Sequence, residues 1–242
     1  MSRRRAGLAL AALAALTVAL GGCETTAEKS AKLEKAAKRV ALVHAGLSIK
    51  RASRQAKVLE ATVVHGSEGA AAAVTVRNLS SRALVSVPIA ITVKGARGQT
   101  LYQNNAAGLE TALTHVPSIP AHGTVTWVND QVGSAGEPAS VIAELGEAST
   151  ASGPEPQIEV QGTRVTEAST GEASGTVRNG SSVAQGKLVV YVTARKGGRI
   201  VAAGRALLTH VAPGASVPFD LYLTGGAGGA SLQAGAPPTT FG

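Results

Sequence analysis

A seven-residue block occurs twice in this chain: Thr75-Val76-Arg77-Asn78-Leu79-Ser80-Ser81 returns as Thr176-Val177-Arg178-Asn179-Gly180-Ser181-Ser182. A block that repeats within matching surroundings is the signature of one small module present in two copies. After the first copy come Ile89, Ile91 and Val93, then Arg97-Gly98 and Leu101; after the second come Leu188, Val190 and Val192, then Lys196-Gly197 and Ile200. Leu113-Thr114-His115-Val116 aligns with Leu208-Thr209-His210-Val211. Gly123 through Trp127 aligns with Gly214 through Val217 and Phe219 after a slip of one residue.

Each block has a physical role. Alternating aliphatics turn one face of a strand into a core. Asn and Ser bond nearby backbone in turns, and a Gly after Arg or Lys supplies the positive φ of a hairpin. From Leu47 onward no helical period continues, and short strands broken by Gly, Pro, Asn and Ser point to an all-β sandwich fold. The expected domains are 47–145 and 157–235, plugged by Trp127 and Phe219 respectively. Gly146 to Pro156 reads as a linker. Val141-Ile142-Ala143 is expected as the last strand of copy one and Ser231-Leu232-Gln233 as a closing strand, before a frayed tail at 236–242 that begins around Pro237-Pro238. The connection Val116 to Gly123 is longer than Val211 to Gly214, and is expected either as a distinguishing loop of copy one or as a tolerated insertion.

At Pro218-Phe219-Asp220-Leu221-Tyr222-Leu223, the second copy resembles the FxLYD domain family. The Val-Arg-Asn-x-Ser-Ser block and the Ala-Pro-Gly turn before it fit the same pattern. The chain departs at Leu223, where the family has Asp, and copy one keeps only Trp127 followed by Val128-Asn129-Asp130. The resemblance covers 157–235 well and 57–146 more weakly. It implies tandem immunoglobulin-like β-sandwich domains on an exported bacterial protein, and it brings no catalytic residue.

The N-terminus explains the export. Arg3-Arg4-Arg5 precedes an apolar run from Ala6 to Leu20, which ends in Gly21-Gly22-Cys23. A cationic start, an apolar stretch of about 15 residues and small residues before a cut site are the parts of a secretory signal. Leu20-Gly21-Gly22-Cys23 is similar to the lipobox of bacterial lipoproteins. That resemblance implies removal of residues 1–22, fatty acylation of Cys23 and a lipid anchor on the outer face of the cell membrane, or in the outer membrane of a diderm host. Cys23 is the single cysteine, so no disulfide and no thiolate metal site competes for it.

Residues 23–46 read as a short basic helical stalk. Thr25-x-x-Glu28 is a capping-box pattern, Glu28/Lys32 and Glu34/Lys38 are acid-before-base pairs four residues apart, and Gly46 is a stop. Its basic face either lies against anionic headgroups or stands solvated. The formal charge of +8 includes three arginines of the signal, leaving a modest excess concentrated beside the anchor. That placement and only six aromatic residues argue against nucleic acid as a partner.

Catalytic chemistry is sought without success. Gly180 to Gly186-Lys187-Leu188 looks like a phosphate loop, but has one residue too many and Leu in place of the hydroxyl residue. Gly225 to Gly229 opens no helix, so it is no dinucleotide site. There is no Gly-x-Ser-x-Gly and no His-Glu-x-x-His. The sequons at Asn78 and Asn179 are explained by turn chemistry. His115 and His210 fall at matched places in the alignment, but a metal needs further ligands and only His122 is near, so inherited strand positions are the simpler account. The expectation is a non-catalytic, cofactor-free lipoprotein whose sandwiches contact an envelope protein or surface polymer. The alternative is an extracytoplasmic lipoprotein that binds a small ligand or metal, for which a concave pocket between the domains is the discriminating feature.

Overall fold

The computed structural model describes residues 30, 32, 35 and 46–242, apart from 68, 134 and 135. The expected signal, Cys23 and most of the expected stalk lie outside the described residues; Ser30, Lys32 and Lys35 are helical and exposed. Residues 44–242 form one unit, and within it the described residues build an all-β sandwich architecture.

In the first copy the strands are β1 (Ala56–Gly66), β2 (Gly69–Asn78), β3 (Leu84–Gly95), β4 (Thr100–Gln103), β5 (His115–Ile119), β6 (Thr124–Val132), β7 (Pro138–Leu145) and β8 (Ser149–Thr150). One antiparallel sheet has the order β1-β2-β6. The other is built around β3, which pairs with β4 and then β5 along one edge, and with β7 and then β8 along the other. The second copy contributes β9 (Ile158–Glu167), β10 (Glu172–Asn179), β11 (Gln185–Lys196), β12 (Arg199–Val211), β13 (Ser216–Tyr222), β14 (Thr224–Gly225) and β15 (Ser231–Gly235). Its sheets are β13-β10-β9 and β14-β12-β11-β15, so the closing strand expected at Ser231 is formed.

The repeated block behaves identically in both copies. Asn78 is fully buried, and its amide donates to the carbonyls of Arg82 (2.7 Å) and Ile119 (3.1 Å). Its Oδ1 accepts from the Ser80 amide and hydroxyl, both at 2.8 Å. Asn179, also fully buried, donates to Val183 (2.9 Å) and Val211 (3.2 Å) and accepts from Ser181. Each Asn therefore closes its own turn and pins that turn to the neighbouring strand.

These bonds also correct the sequence alignment. Ile119 and Val211 play the same part, and they lie 92 residues apart, whereas Asn78 and Asn179 lie 101 apart. The strand pairing agrees: Val116 faces Val87 as Leu208 faces Leu188. His115 therefore corresponds to Leu207 and not to His210, and the shared Leu-Thr-His-Val is out of structural register. The turn after Ile119 matches the turn after Val211 residue for residue, with His122 (φ 53°) where copy two has Gly214 (φ 71°). Trp127 then corresponds to Phe219 without a slip. Copy one is longer by nine residues elsewhere, between β4 and β5, where copy two runs straight through as β12.

That insertion supports the core. Asn104, fully buried, accepts from the Ile91 amide (2.7 Å) and donates to Ile89 and Leu113 (2.8 Å each). A 3₁₀ turn at Thr111–Leu113 follows, and the Ala112 carbonyl accepts the indole N–H of Trp127 at 2.8 Å. In copy two Phe219 pairs with Gly175, and a Cβ at Gly175 would lie 2.6 Å from the ring. The two cores thus hold their large ring by different means.

The two sandwiches also share a core. Along β11, Leu188, Val190, Val192 and Ala194 pack inside the second sandwich, while Val189 and Tyr191 join the first sandwich's cluster together with Ile200 and Ala203 of β12. Alternation puts Ala71, Ala73 and Thr75 of β2 on the face opposite Val74 and Val76, and all of these are buried. Small residues on β2 allow close approach of the middle two sheets.

Two boundary expectations change. Within 146–156, Ser149–Thr150 is strand β8, and Ala151 donates its amide to Ala83 at 2.9 Å, so this stretch is partly sheet edge. The segment 236–242 is docked and not frayed: Ala236, Pro237 and Pro238 are buried, the Ser118 hydroxyl donates to the Pro238 carbonyl (2.7 Å), and Gln185 bonds Thr239 and Thr240. Buried Gln185 needs polar partners, and the folded-back tail supplies them.

Candidate functional site between the two sandwiches

The junction of the copies carries both a buried charge and a cleft. Arg205 on β12 has only 7% of its side chain exposed. Its Nε donates to Asp130 on β6 at 2.8 Å, and its terminal nitrogens lie 3.3 Å from a Glu110 oxygen in the insertion. Burial alone lowers the pKa of a guanidinium, but hydrogen bonds and charge from Asp130 and Glu110 outweigh it, and Arg205 sits above its ordinary value. Opposite Arg205 on the paired strand is Tyr191, wholly buried, whose hydroxyl has no partner among the described residues and whose pKa is raised chiefly by burial. A second link across the junction joins Arg195 to Glu60 at 2.6 Å.

Beside this cluster lies a cleft of about 290 Å³. Equivalent positions from the two copies line it: Ser86 with Lys187, and His115 with Leu207. Ser86 and Lys187 sit at φ 50° and 51°. Each is skipped in the strand pairing together with the residue across from it, Pro117 and Thr209 respectively, so the ladder opens there without a change of register. A positive φ breaks the regular alternation of a strand, and both residues line the same space. Glu110 and Thr111 of the insertion, Ala112, Pro117, Val189 and Thr239 complete most of the wall.

The charges in this cleft are unequal. Glu110 is engaged by Arg205. Burial holds the His115 pKa below its ordinary value, against a backbone hydrogen bond at Thr111 that raises it. Its Nδ1 lies 2.9 Å from the Thr114 hydroxyl. Lys187 is exposed, and no carboxylate among the described residues pairs with it.

The residues singled out in the sequence are dispersed. His115 lines the cleft, His210 is exposed on β12 opposite Gly186, and His122 holds an exposed turn. Among the described residues no three His, Cys, Asp or Glu side chains group as metal ligands. Cys23 lies outside the described residues. Sequence reasoning missed Arg205, Asp130, Glu110 and the left-handed positions Ser86 and Lys187. The one available signal was an arginine set in the apolar run Val201 to Leu208.

A second groove, of about 320 Å³, runs under the docked tail between Thr124, Thr126, Thr193 and Gln233. Glu155 lines it, and burial raises that carboxyl above its ordinary value.

No family model matches the chain, and no curated protein matches it. Among solved structures it is similar to a red sea bream transglutaminase, with 14% identity and a TM-score of 0.22, over 89% of this chain and 32% of that one. The chain spans about a third of the length of that protein, and a likeness of this degree carries no argument about activity.

Proposed function

We propose that the protein is a non-catalytic extracytoplasmic lipoprotein, anchored to membrane lipid through acylated Cys23, whose paired FxLYD-like sandwiches contact a protein or polymer of the cell envelope. The observation that carries this reading is Leu20-Gly21-Gly22-Cys23 at the end of an apolar run that follows three arginines. No helix of the described residues is long and apolar enough to cross a membrane, and the lipid at Cys23 supplies the attachment in this reading. The sandwiches are tied by Arg205 and Arg195 and share a core, which suits a rigid module presenting fixed surfaces. Membrane fractionation followed by mass spectrometry of the mature N-terminus tests it. A diacylglyceryl-modified Cys23 as first residue is the expected result; an unmodified Cys23, or soluble protein retaining residues 1–22, overturns it.

A second reading, binding of a small ligand, is favoured by one feature: the concave cleft between the copies, with an unpaired lysine on its rim.

A further inference from the structure

We infer that the cleft between the sandwiches binds a small amphipathic carboxylate, its head on the Lys187 ammonium and the Ser86 hydroxyl and its apolar tail over Val189, Leu207 and Pro117. The inference rests on the small-ligand reading and gives it a chemical class.

Charge leads the argument. Lys187 is an exposed cation on the rim, and each other charged group on this wall is engaged. Glu110 faces Arg205 at 3.3 Å, and half-buried His115 is held toward its neutral form. Of the charged side chains that line the cleft, Lys187 has no carboxylate partner among the described residues. Arg205 answers two carboxylates, Asp130 and Glu110, so the cation on this wall left free for an anionic head is Lys187.

Shape and chemistry then narrow the ligand. Equivalent positions of the two copies differ here: Ser86 corresponds to Lys187, and His115 to Leu207. One pair gives a polar end and the other a mixed wall continuous with Val189 and Pro117. Leu207 is 39% exposed, one of few large aliphatic side chains left open. A cation with hydroxyl donors at one end and aliphatic surface at the other is the arrangement by which a pocket orients a ligand and buries its body. At about 30 Å³ per non-hydrogen atom, the share of one water in its liquid, the roughly 290 Å³ of the cleft admits about ten such atoms. That is the size of an eight-carbon fatty acid. The Thr111 hydroxyl lies on the same wall for the second carboxylate oxygen, whereas that of Thr239 already donates to the Gly186 carbonyl at 2.7 Å.

Lys187 gives a clean test because its φ of 51° favours glycine and tolerates asparagine. Lys187→Asn removes the charge and keeps a residue that adopts this backbone conformation. The probe is octanoate, titrated by calorimetry and by amide chemical shifts into the full mature chain bearing Cys23→Ser, so the outcome is independent of acylation. We expect binding below millimolar, shifts concentrated at Ser86, Lys187 and Leu207, and at least tenfold weaker binding in Lys187→Asn and in Leu207→Ser. Acetate should bind at least tenfold more weakly than octanoate. Octanoate binding unchanged in folded Lys187→Asn, no binding at ten millimolar, or shifts lying in the groove beneath the tail would each overturn the inference. None of those results bears on the anchor, which the mass of the N-terminus decides separately.

Discussion

At the scale of single residues, the paired asparagines are the most informative side chains in the molecule. Their sequence context pointed to turn chemistry, and the hydrogen bonds of Asn78 and Asn179 extend that chemistry across to the adjacent strand. Replacing either by Ala strands a turn carbonyl and a strand carbonyl, each costing on the order of 1–3 kcal/mol when buried and unpaired. Asn78→Ala and Asn179→Ala should each lower stability by about 2–3 kcal/mol, read as a shift of the urea midpoint at constant slope. Full burial of both side chains also makes them poor glycan acceptors. Gly175 invites the opposite experiment. A methyl group there meets the Phe219 ring at 2.6 Å, and overpacking of this kind costs about 1–3 kcal/mol. Gly175→Ala should destabilise by that amount, and a smaller side chain at 219 should recover part of the loss in a double-mutant cycle. His115 carries a pH signature. Its folded pKa lies below the ordinary histidine value of about 6.5. The unfolded chain therefore binds a proton first as pH falls, and stability drops below about pH 6.5, toward the depressed folded value. The Glu155 carboxyl, raised by partial desolvation, works the other way, favouring the folded state at low pH. Thermal melts of the protein and of His115→Gln across pH 7.5 to 5 should show the shallower acid decline in the variant.

At the scale of elements, the sequence exposed what is periodic and hid what is not. The alternating aliphatics of β3 and β11 and the hairpin glycines Gly98 (φ 81°) and Gly197 (φ 57°) were readable because period and turn chemistry are local. The β4–β5 insertion was misplaced because Leu-Thr-His-Val occurs in both copies at positions with different strand partners. Sequence identity over four residues cannot set a register; hydrogen-bond partners such as Ile119 and Val211 can. The extra nine residues sit where they hold Trp127, so they act as part of the core. Trp127→Phe keeps most of the buried ring but leaves the Ala112 carbonyl without its donor. It should cost about 1–2 kcal/mol, against 3–5 kcal/mol for Trp127→Ala, where a cavity is added. Equilibrium unfolding of the two variants checks the difference between the indole N–H and the ring.

At the scale of the whole molecule, the reading of two modules on a string gives way to two sandwiches with a common core. Nothing local announces this. Strand β11 looks like a buried strand in any case, and only the placement of Val189 and Tyr191 against copy one shows that both of its faces are used. The burial of the run Ala70 to Ala73 shows that small side chains are needed where β2 is covered on both faces. The cleft arises from the same junction, so it too was beyond reach until the copies were placed together. If the shared core governs folding, the two copies should unfold as one unit. Arg205 is the residue on which that depends most, since it bridges β12 of one copy to β6 and the insertion of the other. Exposed pairs contribute about 0–1 kcal/mol and losing one partner of a buried pair costs 3–5 kcal/mol; with Arg205 buried but Glu110 half exposed, Arg205→Ala should cost about 2 kcal/mol. Part of that cost is the desolvated Asp130 left without its donor, so Arg205→Ala/Asp130→Ala should be less destabilised than the single variant. The calorimetric signature matters more than the magnitude. A single transition with matching calorimetric and van't Hoff enthalpies is expected for the natural chain, and a broadened or split transition for Arg205→Ala, as the sandwiches begin to melt separately. Two transitions in the natural chain would show instead that the common core is too weak to couple the copies, and that each sandwich stands alone as the repeat in the sequence first implied.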